Sequence, residues 1–91
     1  MSEARYRVEL SPAAQRQLRR LPPGDAAKLR GPILALGIEP RPPGATKLVG
    51  SDVWRLRVDD LRVIYSIEDA DRLVVVLRVA RRSESTYRRR A

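Results

Sequence analysis

The sequence predicts an α+β domain in two layers, an antiparallel helical hairpin packed on a mainly antiparallel four-stranded sheet in the order β-α-α-β-β-β. Three features of the chain predict it. Residues 5–10 alternate charged and apolar side chains, as a half-buried strand does. Residues 12–36 carry apolar side chains at helical spacing, interrupted once by Pro22-Pro23-Gly24. From residue 53 onward, three runs rich in Val, Leu and Ile are separated by short Asp-containing turns. Helices grouped beside a run of strands, rather than alternating with them, give a sheet covered on one face.

Taken in order, Arg5 to Leu10 form the first strand, and Ser11-Pro12 reads as an N-cap followed by proline at the first helical position, where its missing N–H costs nothing. Ala14, Leu18 and Leu21 follow on one face until Pro22-Pro23 stops the helix. A second helix starts near Asp25, with Ala26, Leu29, Ile33 and Leu36 aligned. Gly31-Pro32 falls inside it, and an interior proline costs about 3 kcal/mol, which predicts a kink or a break. Residues 39–46, with three prolines and a glycine, read as a loop. Strands are predicted over 53–58, 61–67 and 72–82, turning at Asp59-Asp60 and at Asp69-Ala70-Asp71, and a tail from Ser83 carries Tyr87 and Arg88.

The 91 residues make a single domain spanning 1–91, near the lower size limit for an unstapled core. With 43% hydrophobic residues, no Phe and one Trp, that core has to be aliphatic. The absence of Cys removes disulfides and thiolate sites. The absence of His, added to it, excludes Cys/His zinc sites, Ser-His triads and paired-histidine RNA cleavage. No metal or cofactor is expected. No apolar run reaches the roughly 18 residues a membrane span needs, and the N-terminus is polar, so a cytoplasmic protein without membrane association is expected. A net charge of +8 suggests a polyanionic partner. The 17 Arg against two Lys also fit the codon usage of a GC-rich genome, so the placement of the arginines has to decide.

Side chains alternate faces along a strand, so register determines which arginines meet. Across Asp59-Asp60, Val58 faces Leu61, Leu56 faces Val63 and Trp54 faces Tyr65, an apolar face on which Trp54 belongs to the core. The other face sets Arg57 against Arg62 and Arg55 against Ile64. Continuing with Tyr65 opposite Val75, Val63 opposite Leu77 and Leu61 opposite Val79 puts Arg62 against Arg78. Arg57, Arg62 and Arg78 then form one row, with Arg55 close by, Arg82 further along, and Ile64, Val74 and Val76 making the same face half apolar. Opposed like charges with Cβ atoms roughly 5 Å apart are destabilising unless an anion lies between them, and the guanidinium fork matches phosphate. RNA is the expected anion; a solvated face of splayed, screened arginines is the alternative.

RNA can be cut without metal or histidine if a base takes the 2′-hydroxyl proton and cations stabilise the charge that develops on phosphate. Arginines supply the second requirement and not the first. Tyr87, beside Arg81, Arg82 and Arg88, is a candidate for proton transfer, or else a tyrosine packing the tail onto the sheet. Lys47 is either a phosphate contact or a solvated loop lysine.

The chain resembles the RelE/ParE superfamily of toxins, and the RelE branch in particular. The likeness runs through Tyr6 to Ser11, Ala13-Ala14 and Leu18, Lys47 to Gly50, Trp54 to Val58, Leu61 to Tyr65, and Val74 to Arg82 with Tyr87-Arg88. The resemblance implies a RelE-like fold and a type II toxin that enters the ribosomal A site and cleaves mRNA by metal-free 2′-hydroxyl attack. It is restrained by a RelB-like antitoxin encoded in an adjacent gene, and operator DNA is contacted only through the antitoxin complex. Carried over by position, the catalytic set is Arg55, Arg57, Arg62, Arg82 and Tyr87, with Lys47, Arg78, Arg81 and Arg88 as further phosphate contacts and Arg81 as an alternative to Arg82. The basic pair, lysines in some relatives, is arginine here. A ParE-like inhibitor of gyrase, or an attenuated member that only binds antitoxin and operator DNA, is the alternative. The antitoxin is expected to lay an acidic or apolar segment over the arginine face.

Overall fold

Ser11 marks the change from strand to helix. In the computed structural model, which describes residues 5–81, strand β1 (Arg7–Leu10) ends one residue before it. The Ser11 hydroxyl accepts from the Ala14 N–H at 3.0 Å and so caps helix α1 (Pro12–Arg20), with Pro12 in the first turn as predicted. Arg19 and Arg20 lie in the last turn of α1, where cations complement the helix dipole. Helix α2 (Pro23–Ala35) begins at the second proline of the pair, two residues earlier than expected. It also runs through Pro32 without the expected break. Pro32 lacks the N–H that would bond to the Lys28 carbonyl, so one backbone bond is lost there. Burial of Leu29, Ile33 and Leu36, at about 1.5–3 kcal/mol each, outweighs that cost.

The sheet has five strands rather than four: β2 (Ala45–Lys47), β3 (Val53–Val58), β4 (Leu61–Glu68) and β5 (Leu73–Arg81) join β1 in the order β1-β5-β4-β3-β2. Every pairing is antiparallel except β1 with β5. The extra strand, β2, is three residues at one edge, entered from Gly44 at φ 97°, and it occupies the end of the segment read as loop. A three-residue strand is too short for alternation to reveal it.

The β3–β4 register is the expected one: Val58 with Leu61, Arg57 with Arg62, Leu56 with Val63, Arg55 with Ile64 and Trp54 with Tyr65. The β4–β5 register is not. Leu61 pairs with Arg81, Arg62 with Ala80, Val63 with Val79 and Ile64 with Arg78, after which Tyr65 pairs with Val76 and Ser66 with Val75. Two causes add. The turn takes in Arg72, which adopts φ 49° and donates its N–H to the Asp69 carbonyl at 3.1 Å, so it is one residue longer than Asp69-Ala70-Asp71. Leu77 is then passed over as a one-residue bulge, which reverses the side-chain alternation on its far side. Val74 and Val76, expected on the arginine face, are therefore fully buried, while Val75 and Leu77, expected inside, are only half-buried.

The core joins Ala14, Leu29, Ile33 and Leu36 of the helical layer to Leu56, Leu61, Val63, Tyr65, Val74, Val76 and Val79 of the sheet. Tyr65 is fully buried and donates its hydroxyl to the Pro40 carbonyl at 2.7 Å, anchoring the chain before β2; burial pushes its phenol up to about 12. Among the described residues, no helix is long and apolar enough to cross a membrane.

Candidate nucleic-acid interface

On the sheet face turned away from the helices, Arg57 and Arg62 stand directly opposite each other across β3 and β4. The neighbouring rung on that face is Arg55, Ile64 and Arg78. The expected row is thus corrected: Ala80, not Arg78, faces Arg62, because the longer turn and the bulge shift β5 by two residues there. That shift is even, so Arg78 keeps its face and lies diagonal to Arg62, within reach of a long side chain. Arg57 and Arg78 are exposed, and Arg55 and Arg62 half-buried. Among the described residues, no carboxylate lies within 4.0 Å of the guanidinium groups of Arg55, Arg57 or Arg78.

The remaining candidates separate from this face. Arg81 pairs with Leu61, whose side chain is buried under the helices, and forms an ion pair with Asp25 of α2. Asp25 also approaches Lys28 at 4.0 Å, and Lys28 reaches Asp59 at 3.5 Å, so α2 is tied to the end of β5 and to the β3–β4 turn. Lys47 pairs with Trp54 on the helix side of β2, away from the arginines. Arg82, Tyr87 and Arg88 lie outside the described residues.

A second charged cluster was not anticipated from the sequence. Arg41 binds Asp69 through two nitrogens at 2.9 and 3.4 Å, and Tyr6 donates its hydroxyl to the same carboxylate at 2.6 Å. These bonds hold the Asp69 carboxyl below the usual range, and donating to it pushes the Tyr6 phenol up. The Arg41 guanidinium also lies 5.5 Å from the centre of the Trp54 ring. With Lys47 and Asp52, the side chains of Arg41, Trp54 and Asp69 line a polar cavity of ≈ 460 Å³. Tyr6 and Asp69 are 63 positions apart, and no local spacing announces such a contact. A larger apolar groove of ≈ 600 Å³ lies between the helices and β1, lined by Val8, Leu10, Leu18, Ile33 and Leu34 among others.

The family model for the ParE toxin of type II toxin-antitoxin systems (parDE) matches residues 8–86. The chain belongs to this toxin family. Within the family it is RelE-like. "Putative toxin RelE1" of Methanocaldococcus jannaschii is 31% identical over 88 residues, 92% of this chain and 97% of that protein. The toxin-antitoxin complex RelBE2 from Mycobacterium tuberculosis contains a similar chain, 28% identical with a TM-score of 0.80, covering 91% of this chain and 98% of that one. The archaeal RelE-RelB complex from Pyrococcus horikoshii contains another, 29% identical with a TM-score of 0.78 over 89% and 99%. The isolated E. coli RelE toxin shares the fold at a TM-score of 0.76 and 21% identity, over 89% of this chain and 88% of that one. The two-layer architecture expected from the sequence is thus the architecture of the RelE-like toxins, with one short edge strand more than was counted.

Proposed function

We propose that this toxin is a ribosome-dependent mRNA endoribonuclease that inhibits translation. The observation that carries the proposal is the opposed pair Arg57 and Arg62, with Arg55 and Arg78 on the next rung. Guanidinium groups gathered on one face offer the fork of donors that a phosphate accepts from. In the reaction, the ribose 2′-oxygen attacks the adjacent phosphorus, the bond to the 5′-oxygen breaks, and a 2′,3′-cyclic phosphate and a 5′-hydroxyl result. One proton leaves the 2′-hydroxyl and one joins the departing oxygen. Guanidinium groups held in place stabilise the extra charge on the phosphoryl oxygens without reorganising. They stay protonated, so proton transfer falls to another group, for which the family resemblance nominates Tyr87, with Arg82 and Arg88 beside it.

The ribosome with its mRNA is the proposed target, and a RelB-like antitoxin from an adjacent gene the proposed restraint, with operator DNA bound only by the complex. The crystallised RelE-RelB assemblies of the relatives support the antitoxin. Val75 and Leu77 replace Val74 and Val76 outside the core, so the arginine face stays partly apolar, and an antitoxin segment that is acidic and apolar suits it, its ionic contacts loosening in salt. The cytoplasm is the corresponding location. Purified toxin added to programmed ribosomes should cut mRNA within A-site codons, and Arg62→Ala should abolish the cuts. Intact mRNA in the presence of folded wild-type protein would overturn the proposal. Because the matching family model is that of ParE, gyrase inhibition is the second reading. A DNA-damage response on expression, with mRNA unchanged, would select it.

A further inference from the structure

β5 has strand neighbours on both sides only part of the way. β1 ends at Leu10, opposite Val76, whereas β5 continues to Arg81. Past Val76 the β1-side edge of β5 would present bare backbone groups, and residues of the strand-to-helix junction and of α1 cover them instead. The Ser11 N–H donates to the Val76 carbonyl at 2.9 Å, and the Ser11 hydroxyl donates to the Leu77 carbonyl at 3.0 Å. The Gln17 carboxamide oxygen accepts from the Val79 N–H at 2.8 Å. The residues immediately before and after Arg78 are both held by side chains from this part of the chain.

These contacts straddle the bulge. Val74 and Val76 face the core, and strict alternation from them would turn Arg78 inward and Val79 outward. With Leu77 set aside, Arg78 is exposed opposite Ile64 and Val79 is buried opposite Val63. We propose that Ser11 and Gln17 are positioning residues that hold the bulge at Leu77 and thereby keep Arg78 on the arginine face, diagonal to Arg62. The functional meaning of that placement rests on reading the face as a phosphate grip; the placement itself does not.

The chain contains no cysteine, so Arg78→Cys supplies a single reporter thiol. In the otherwise native protein it should react with a maleimide as an exposed thiol does. Adding Gln17→Met, which keeps the length of the side chain and leaves only a weak sulfur acceptor, should slow the reaction at least about tenfold as position 78 turns inward. Gln17→Glu retains an oxygen acceptor and should label like the native background. Trp54 emission and the thermal transition report whether each protein folds. Should Gln17→Met not fold, Ser11→Gly takes its place, since glycine caps a helix nearly as well as serine while removing the donor to Leu77. Unchanged or faster labelling in the folded Met or Gly variant would overturn the proposal.

A second measurement separates positioning from plain stability. Binding of a single-stranded RNA oligonucleotide should fall with salt, and Gln17→Met should lower the slope of log K against log salt by about 0.7, the share of one phosphate contact. Arg78→Ala should do the same, and the two together should do no more. Additive losses would assign Gln17 to stability alone. Wild-type protein that binds no RNA, with thiol labelling as expected, would overturn the RNA reading of the face and uphold the positioning of Arg78.

Discussion

Replacing Arg57 by Gln removes one of the two guanidinium groups that oppose each other across β3 and β4. With Cβ atoms about 5 Å apart and the charges splayed to about 7 Å, their repulsion in water is about 0.6 kcal/mol. Arg57 is exposed, so little packing is lost with it. The variant should therefore be more stable than wild type at low salt, by about 0.6 kcal/mol, or a rise of about 2–5 °C in Tm for a domain of this size. At 1 M salt the screening length falls to about 3 Å and the difference should vanish. Thermal denaturation followed by Trp54 fluorescence across a salt series measures both limits. The same substitution should weaken RNA binding, so that stability and affinity move in opposite directions. A variant less stable than wild type at low salt, or a gain that persists at 1 M, would refute the idea that this rung is strained by like charge.

Tyr65→Phe should cost about 1–2 kcal/mol at neutral pH by leaving the Pro40 carbonyl without its donor. The folded phenol at about 12 lies above its ordinary value of 10.0, so its contribution is complete below pH 10 and lost as pH rises towards 12. Wild type should accordingly give up about 1.4 kcal/mol relative to the variant at pH 11, and urea titrations at pH 7 and pH 11 that show a constant difference would contradict this. Gly37→Ala should destabilise by about 1–3 kcal/mol, because its Cβ would meet the Tyr6 carbonyl oxygen at 2.9 Å and force the backbone apart; an unchanged Tm would show that the contact yields. Val76→Ala should cost about 2–3 kcal/mol and Leu77→Ala about 1 kcal/mol or less, the reverse of what the register expected from the sequence would give, and chemical denaturation ranks the two.

The parts of the fold governed by local rules were legible in the sequence. Ser11-Pro12 announces α1, Pro22-Pro23 separates the helices, and a two-residue turn at Asp59-Asp60, with Asp59 at φ 56°, sets Arg57 against Arg62. The β4–β5 register was not legible, because it depends on Arg72 adopting a positive φ and on a bulge held by Ser11 and Gln17, residues more than 60 positions away. The arginine face survived that error because a two-residue shift preserves parity, while the valines beyond the bulge exchanged sides. Arg81 shows the same limit. Its sequence neighbourhood places it among the basic candidates, but Asp25, 56 positions earlier, claims it on the other side of the sheet.

The parallel pairing of β1 with β5 has a consequence for how the molecule comes into being. β5 lies between β1 and β4, follows every other described element along the chain, and meets Arg7 through Leu10 across more than sixty residues. Contacts of that sequence separation are entropically expensive and slow to form. During synthesis from the N-terminus, β1 has no partner, α1 has no strand edge to cap, and Arg62 has no Arg78 beside it until β5 has been made. A nascent or prematurely terminated chain lacking β5 therefore carries the arginines of β3 and β4 without the frame that arranges them. The fold makes completion of the basic face wait for β5, which follows every other described element.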